Sequence, residues 1–208
     1  MSTPVTALTE TDLWLDRWLP LLDSLSRTTP VLELGCDTGR DTVYLVAKGF
    51  KVVATDISEK ALEVCARTAP TATQVHHDLR DPLPFSDRSY RVVLASLCLH
   101  YFEWQKTTEI VAEIRRCLVP GGLLFCRLNS TKDVNHGAVG DSDAASNYYA
   151  VNGRYSNRKR FFDFAAVELL FNEGWERVAV EEMTIDRYEM PKVVWEIVLR
   201  KRIENREP

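Results

Sequence analysis

The sequence predicts a doubly wound α/β domain, in which helices cover both faces of a mostly parallel sheet. Short apolar runs such as VLEL (31–34) and RVVLAS (91–96) alternate with amphipathic helical segments at βαβ spacing. These runs are continuously apolar, as expected for strands that are covered on both faces. The last two apolar runs, 176–185 and 192–201, are joined by a short connection, which suits an antiparallel pair.

The individual elements follow one another in a regular order. Segment 9–26 carries Trp14, Trp18 and several leucines at helical spacing, and Pro20 should bend or break this helix. Strands are predicted at 31–34, 51–56, 73–78, 91–96 and 123–129, and helices at 41–48, 58–69, 103–118 and 162–173. The polar stretch 130–160 interrupts the rhythm, and a loop of this length inside a compact domain is usually functional or disordered.

Length and composition indicate a single globular domain over residues 1–208. The chain is 45% hydrophobic and 27% charged, with a formal net charge of -4 that provides no general attraction to nucleic-acid phosphates. Five cysteines without CxxC spacing predict reduced thiols and a cytoplasmic location. No signal peptide is expected, and no apolar run is long enough to span a membrane.

The segment VLELGCDTGRD (31–41) joins the first strand to the first helix. Gly35 and Gly39 would let the backbone approach a ligand closely, and the helix N-terminus supplies free N–H groups. Asp56 ends the second strand, where a carboxylate can accept hydrogen bonds from ribose hydroxyls, and Asp78 ends the third, where it could contact an adenine amine. Since parallel strands end at one edge of the sheet, these residues predict a nucleotide site.

Two nucleotide-binding patterns compete at this turn. The dinucleotide pattern GxGxxG requires glycine at the positions of Gly35, Asp37 and Arg40, so it fails at two of them. A shorter pattern, E/D-x-G-x-G-x-G, fits Glu33, Gly35 and Gly39 and fails only at Asp37. Aspartate tolerates left-handed backbone better than most residues, so we expect a working turn that accommodates Asp37.

Successive segments of the chain resemble the motifs of class I S-adenosylmethionine-dependent methyltransferases. These segments are VLELGCDTGRD, VVATDIS, DLRDPLPFSDRSYRVVLASLCLHYF and IRRCLVPGGLLF, in the family's order. The chain is most similar to the small bacterial branch that includes tellurite-resistance-type and other small-molecule methyltransferases. The resemblance implies a Rossmann-like seven-stranded, mostly parallel sheet with a reversed last strand and S-adenosyl-L-methionine as cofactor. It also implies an N-terminal helical lid at 1–29 and a substrate-side insertion at 130–160.

The resemblance further implies a cofactor site at the carboxyl ends of the strands. The residues implied to bind the cofactor are Glu33, Gly35, Cys36, Gly39, Asp56, Ile57, Asp78, Leu79, Ser96 and Leu97. Asp56 would bind the ribose hydroxyls, and Asp78 with the backbone of Leu79 would contact the adenine. In-line displacement on the sulfonium methyl requires mainly proximity and orientation, which can supply up to roughly 7–11 kcal/mol.

The family's layout places the methyl acceptor beneath the N-terminal helix and beyond the fifth strand. The candidate substrate residues are Trp14, Trp18, Tyr101, Asn129, Tyr148, Tyr149, Tyr155 and Arg160. His100 is the candidate general base, or alternatively a hydrogen-bonded imidazole at a helix start. The tryptophans could instead form the core stripe of one helix, and the tyrosines a lid that orders on binding. The basic run 152–160 could hold a carboxylate or phosphate of the substrate, or be a solvated loop.

We expect an enzyme that methylates an N, O or S atom of a small molecule. The alternatives are methylation of RNA or protein by the same fold, and a cofactor-binding or interaction protein without catalysis. SLCLHY stands where an NPPY-type run would mark many amino-methylating enzymes, which disfavours a DNA adenine or glutamine substrate. No HxxxH or CxxC spacing is present, so we expect no metal. We expect a monomer or homodimer, with neither nucleic acid nor membrane as a partner.

Overall fold

The computed structural model describes residues 13–139, 142–143, 147–151, 156–186 and 188–203. The strands are β1 (Val31–Leu34), β2 (Val52–Asp56), β3 (Thr73–His76), β4 (Tyr90–Ser96), β5 (Leu118–Asn129), β6 (Ser142–Asp143), β7 (Tyr148–Ala150), β8 (Arg158–Arg160), β9 (Trp175–Ile185) and β10 (Lys192–Lys201). The helices are α1 (Leu19–Ser26), α2 (Arg40–Ala47), α3 (Glu59–Thr68), α4 (Trp104–Cys117) and α5 (Phe164–Leu170). Short 3-10 turns occupy Asp16–Trp18, Leu99–Tyr101 and Val134–His136.

The main sheet has seven strands in the order β3-β2-β1-β4-β5-β10-β9. Strands β1 to β5 pair in parallel, whereas β10 is antiparallel to both of its neighbours, β5 and β9. The predicted Rossmann-like sheet with a reversed last strand is therefore confirmed. The reversal follows from the short β9–β10 connection, which cannot span the length of a parallel crossover.

Each face of the sheet carries its own hydrophobic core, because successive side chains of a strand point to opposite faces. On one face, Ile114 of α4 and Val167 of α5 pack against the central strands. On the other face, Leu22, Leu45 and Leu62 bring α1, α2 and α3 against the same strands. Burying each of these side chains contributes about 1.5–3 kcal/mol, which explains why the central strands β1 and β4 are mostly apolar.

The helices begin close to where the sequence signals place them, with one difference at the N-terminus. The Ser58 hydroxyl caps α3 by accepting the N–H of Ala61 at 3.3 Å. Pro20 does not bend a long helix over 9–26; it lies in the first turn of α1, where a missing N–H costs no hydrogen bond. The chain is broken just before it, by the turn Asp16–Trp18. Residues 1–12 lie outside the described residues.

The interpretation of 130–160 as an irregular loop is wrong for part of its length. Strands β6, β7 and β8 form a small antiparallel sheet. The ring of Tyr148 lies against the guanidinium groups of Arg158 and Arg160, at 4.9 and 5.2 Å from the ring centre. β7 and β8 are thus joined by contacts between aromatic and charged side chains. Their sequences lack the alternation of apolar and polar residues by which a strand is recognised, so the sequence did not predict them.

Candidate cofactor and substrate site

A cleft of about 340 Å³ opens at the carboxyl ends of β1, β2 and β4. Sequence-predicted residues that line it are Glu33, Gly35, Cys36, Asp56, Ile57, Asp78, Leu79, Ser96, Leu97 and Tyr101. Residues that were not predicted as ligands also line it: Asp37, Arg40, Asp41, His77, Arg80, Cys98, Phe102, Ser156 and Tyr188. Most of these residues are next to a predicted ligand in the chain. That proximity is the sequence feature from which they could have been predicted. Ser156 lies in the basic run 152–160, next to the candidate Tyr155, whereas Tyr188 had no such signal, because only the fold brings its segment to the cleft.

The turn after β1 passes unusually close to the segment after β4. Gly35 has a φ of 64°, and a Cβ added there would lie 2.5 Å from the Cβ of Cys98. Both facts require glycine at this position. Asp37 also has a left-handed φ, of 48°, as expected for an aspartate that replaces the glycine of the pattern. The turn thus keeps the backbone path of a glycine-rich loop.

Two backbone amides fix the carboxylate of Asp56. Its Oδ2 accepts the N–H of Asp37 at 2.8 Å, and its Oδ1 accepts the N–H of Ser58 at 2.8 Å. Each carboxylate oxygen can accept a second hydrogen bond. The residue is 8% exposed and lines the cleft, so those remaining acceptor positions are available to a pair of ligand hydroxyls.

Asp78 lies at the rim of the cleft in an ion pair with Arg80. The Arg80 Nε donates to Oδ2 at 2.8 Å and to Oδ1 at 3.0 Å. These hydrogen bonds hold the pKa of Asp78 below its ordinary value, so the side chain is a carboxylate at neutral pH. The Arg80 side chain is largely exposed, and such pairs contribute about 0–1 kcal/mol, so a ligand donor can compete for Asp78.

Gly39 is not among the residues that line the cleft. It precedes α2 with a φ of 87°, and a Cβ added there would lie 2.5 Å from the Sγ of Cys65 on α3. Its position therefore serves the close approach of α2 and α3. A contact between Gly39 and the cofactor stays a prediction.

Buried polar groups lie at the ends of β4 and β5. Within the described ranges, neither amide atom of Asn129 has a hydrogen-bond partner, and the same is true of the Ser96 Oγ and the His100 Nδ1. A buried group of this kind costs about 1–3 kcal/mol unless a ligand or water satisfies it. Burial, aided by the positive charges of Lys192 and Lys159, lowers the pKa of His100 well below its ordinary value. His100 is therefore a neutral imidazole at neutral pH.

Trp14 lies in the core and the half-buried Trp18 packs against it; neither lines the cleft. Trp14 is 5% exposed, and the guanidinium of Arg127 lies 4.4 Å from its ring centre. The Trp18 Nε1 donates to the Oε1 of Glu196 at 2.9 Å. This placement agrees with the alternative interpretation, in which the tryptophans form part of the apolar core and do not bind a substrate. Their contact with an acceptor, and the role of 1–29 as a lid, stay predictions.

The predicted tyrosines of the small sheet lie behind the cleft. The hydroxyl of Tyr148 donates to the carbonyl of Tyr101 at 3.3 Å. Tyr149 packs edge-on against Phe161, with ring centres 5.5 Å apart. Arg160 is buried beside Tyr148 and does not line the cleft. Of these residues, Tyr148 contacts Tyr101, which lines the cleft. Tyr155 lies outside the described residues.

All five cysteines are free thiols in buried positions. Within the part of the chain that the structure describes, no three histidine, cysteine or acidic side chains are grouped closely enough to hold a metal ion. The same residues include no helix with the length and apolar character needed to cross a membrane.

Comparison with known proteins adds a family to this geometry. Residues 31–122 match the model of a methyltransferase domain family. An uncharacterised methyltransferase of Synechocystis is 37% identical over 106 residues, which are 50% of each chain. The chain spans about half the length of the curated relatives it matches, or less.

Two solved structures illustrate the likeness of fold. An S-adenosylmethionine-dependent methyltransferase of Methanosarcina mazei has a TM-score of 0.74 at 15% identity, covering 89% of this chain and 98% of that one. The 1,6-didemethyltoxoflavin N1-methyltransferase of Burkholderia thailandensis has a TM-score of 0.66 at 20% identity, covering 92% of this chain and 82% of that one. At such identities the likeness shows the fold alone.

The segment that matches the family model is also the segment that builds the cleft. It runs from β1 into β5 and contains Glu33, Gly35, Asp56 and Asp78. The strand order, the cleft and the relatives agree with the resemblance of the motifs to class I S-adenosylmethionine-dependent methyltransferases and with S-adenosylmethionine as the cofactor. Over residues 31–122, the chain is thus similar to the methyltransferase domain family.

Proposed function

We propose that the protein transfers the methyl group of S-adenosylmethionine to an N, O or S atom of a small-molecule acceptor. The observation that carries this proposal is the convergence of the Gly35 turn, Asp56 and Asp78 on one cleft. Its volume of about 340 Å³ lies in the range of ligand pockets, and several of its polar groups lie at strand ends.

The side chains of the cleft fit the parts of the cofactor. Asp56, held by two amides, would accept the ribose hydroxyls through its remaining lone pairs. Asp78 and the backbone of Leu79 would meet the adenine edge, and Ile57 offers an apolar surface that is 47% exposed. The missing Cβ of Gly35 would let the methionine part approach the backbone.

The charges that line the cleft favour a cationic cofactor. The carboxylate residues outnumber the arginines, with Glu33, Asp37, Asp41, Asp56 and Asp78 against Arg40 and Arg80. S-adenosylmethionine carries a positive sulfonium, which supplies an electrophilic methyl group when it is bound. In a cleft with low-dielectric walls, carboxylates attract such a cation more strongly than they would in water.

The acceptor would approach from the side of Ser96, His100 and Tyr101. Holding the acceptor atom in line with the methyl group provides most of the rate acceleration that such a displacement needs. A general base is needed only if the acceptor atom is protonated at working pH. His100 is neutral and could take that proton, although its lowered pKa makes it a weak base until a negative charge lies nearby.

Several features support a small acceptor. The net charge of -4 gives no general attraction to RNA, and the Burkholderia relative of similar fold is described with a bound small molecule. We also propose a cytoplasmic location, supported by five free and buried cysteines. A monomeric or homodimeric state stays a prediction.

The test is transfer of a labelled methyl group from S-adenosylmethionine into a cell extract separated into small-molecule, RNA and protein fractions. We expect label in the small-molecule fraction with the wild-type protein and a large loss with Asp56→Asn. Label in RNA or protein would favour the alternative acceptors. Cofactor binding by calorimetry without transfer to any fraction would favour a non-catalytic role.

A further inference from the structure

Three strand ends place polar side chains on one face of the main sheet. Ser96 of β4 is in register with Arg127 of β5, and Asn129 of β5 is in register with Val194 of β10. Neighbours in register share a face, and side chains two residues apart on a strand share it too. Ser96, Asn129 and Lys192 therefore project from the same face.

This face holds polar atoms that are buried and unsatisfied. Asn129 is 0% exposed, and within the described residues both of its side-chain amide atoms lack a hydrogen-bond partner. The Ser96 Oγ and the His100 Nδ1 are in the same state. Native proteins rarely leave such atoms unpaired, so a polar ligand or water is expected among them. Ser96 lines the cleft. The ring of His100 packs at a tilt against Tyr101, which also lines the cleft, with ring centres 4.2 Å apart.

Two lysines, Lys192 and Lys159, lie close enough to His100 to act on its charge, and one of them is paired with an aspartate. Lys192 is 4% exposed and its ammonium lies 2.5 Å from the carboxylate of Asp133, which also contacts His136 at 2.8 Å. Lys159 is half-buried, with its ammonium 5.9 Å from the ring centre of Tyr101. In the portion of the chain that the structure describes, Lys159 forms no ion pair. One carboxylate thus faces two lysines.

We propose that this cluster binds a carboxylate of the methyl acceptor, with Lys159 as its counter-ion and Asn129 as a hydrogen-bond donor. The inference rests on the proposed function and specifies its substrate class as a small organic acid. A single uncompensated lysine matches a singly charged carboxylate. A neutral acceptor would leave the half-buried charge of Lys159 uncompensated, which is costly in a low-dielectric site.

The bound carboxylate would also act on the neighbouring imidazole. Lys192 and Lys159 both disfavour the protonated form of His100. A negative charge placed among these groups favours that form. Binding the acid would therefore strengthen His100 as a base at the moment when the acceptor is in place.

The experiment titrates matched acids and amides into the full-length protein saturated with S-adenosylhomocysteine, followed by calorimetry. The pairs are benzoate with benzamide and 4-hydroxybenzoate with 4-hydroxybenzamide, which differ in charge at nearly constant size. We expect the acid of at least one pair to bind about ten-fold tighter than its amide. Lys159→Met should remove this preference, and Lys60→Met, on an exposed position of α3, should retain it. The inference is wrong if no pair prefers the acid, or if the preference survives in Lys159→Met.

Asn129→Leu provides a second readout that does not depend on Lys159. Removing an unsatisfied buried amide should raise the melting temperature of the ligand-free protein by about 2–4 °C. The same substitution should weaken binding of the preferred acid by about ten-fold. A lower melting temperature with unchanged acid binding would show a structural role and overturn the inference. If S-adenosylhomocysteine itself does not bind, the proposed function fails, which is a separate result.

Discussion

At the scale of single residues, Asp37 and Asp56 show how one backbone group positions another residue's side chain. Asp37 adopts a φ of 48°, and in this conformation its N–H reaches the Oδ2 of Asp56 at 2.8 Å. The contact uses the main chain of Asp37, so the side chain is not required for it. An aspartate can therefore replace the glycine of the family pattern while the acceptor at the end of β2 keeps its orientation.

Asp37→Gly should leave cofactor affinity unchanged or raise it, because the hydrogen bond to Asp56 comes from the backbone. Relief of left-handed strain, about 1 kcal/mol, opposes the greater flexibility of glycine in the unfolded chain, about 0.4–1 kcal/mol. The free energy of unfolding should thus change by less than about 1 kcal/mol. Calorimetry with S-adenosylmethionine and urea denaturation measure the two quantities. A collapse of affinity would show that Asp37 is itself a ligand.

Asp56→Asn should weaken cofactor binding by about 100-fold. The variant removes the charge that strengthens two ligand hydrogen bonds, each worth about 1.5–3 kcal/mol, and turns an NH₂ group toward a backbone N–H. Asp81→Asn is the matched control, since Asp81 is exposed and does not line the cleft. Equal dissociation constants for the two variants in calorimetry would contradict the role assigned to Asp56.

At the scale of elements, glycines decide how closely neighbouring segments pack. Gly39 and Gly121 both have left-handed φ values, 87° and 79°. They differ in their surroundings, because a Cβ at Gly39 would meet Cys65 of α3 while a Cβ at Gly121 would meet nothing within 4 Å. A comparison of the two therefore separates backbone strain from helix packing.

Gly39→Ala should destabilise the protein by about 1–3 kcal/mol more than Gly121→Ala. The backbone strain is common to both variants, whereas the overlap with Cys65 reaches its Cα at 3.1 Å and cannot be relieved by a side-chain rotation. Urea denaturation of both variants gives the difference. Equal losses of unfolding free energy would mean that α2 and α3 can separate at no cost.

At the scale of the whole molecule, a buried ion pair joins the N-terminal segment to the centre of the sheet. Arg127 of β5 and Glu196 of β10 are both 1% exposed, with Nη2 and Oε2 at 2.9 Å. Glu196 also accepts from the Trp18 indole at 2.9 Å and lies 3.4 Å from the Nε of Arg17. One carboxylate thus receives groups from two parts of the chain, the N-terminal turn and β5.

Glu196→Leu should cost about 3–5 kcal/mol, because it removes the buried counter-charge of Arg127. The double variant Arg127→Met with Glu196→Leu should recover a large part of that loss, since well-packed apolar residues can replace a buried pair. Urea unfolding of both variants measures the recovery. If the double variant is as unstable as Glu196→Leu, the loss of stability does not come from leaving the charge of Arg127 without Glu196.

His100 should make the stability of the whole molecule sensitive to acid. Its pKa in the folded state lies well below its ordinary value of 6.5, mainly because it is buried. Above pH 6.5 the imidazole is neutral in both states, but as the pH falls below 6.5 only the unfolded state gains the proton. The free energy of unfolding should then decrease by up to about 1.4 kcal/mol per pH unit. Urea unfolding at pH 7.5 and 5.5 should show a smaller loss for His100→Phe than for the wild type; equal losses would exclude His100 as the cause.

The sequence by itself determined the succession of βαβ units along the chain, the antiparallel final pair of strands and about half of the residues that line the cleft. These features are local: a turn after β1 and carboxylates at the ends of β2 and β3 are encoded within a few residues, and parallel strands necessarily bring their ends to one edge. The alternation of apolar runs and helical stripes is equally local, so the fold class could be predicted from it.

Only the tertiary structure decided which side chains meet. It placed Trp14 in the core beside Arg127, turned Gly39 toward Cys65, and brought Ser156 and Tyr188 to the cleft. The physical reason is that such contacts depend on strand register and on the packing of segments that are far apart in the chain. The position of each side chain is then set by how all the segments pack together in the core. A sequence motif predicts the backbone conformation of its own segment. Which side chains from other segments contact it depends on the complete fold.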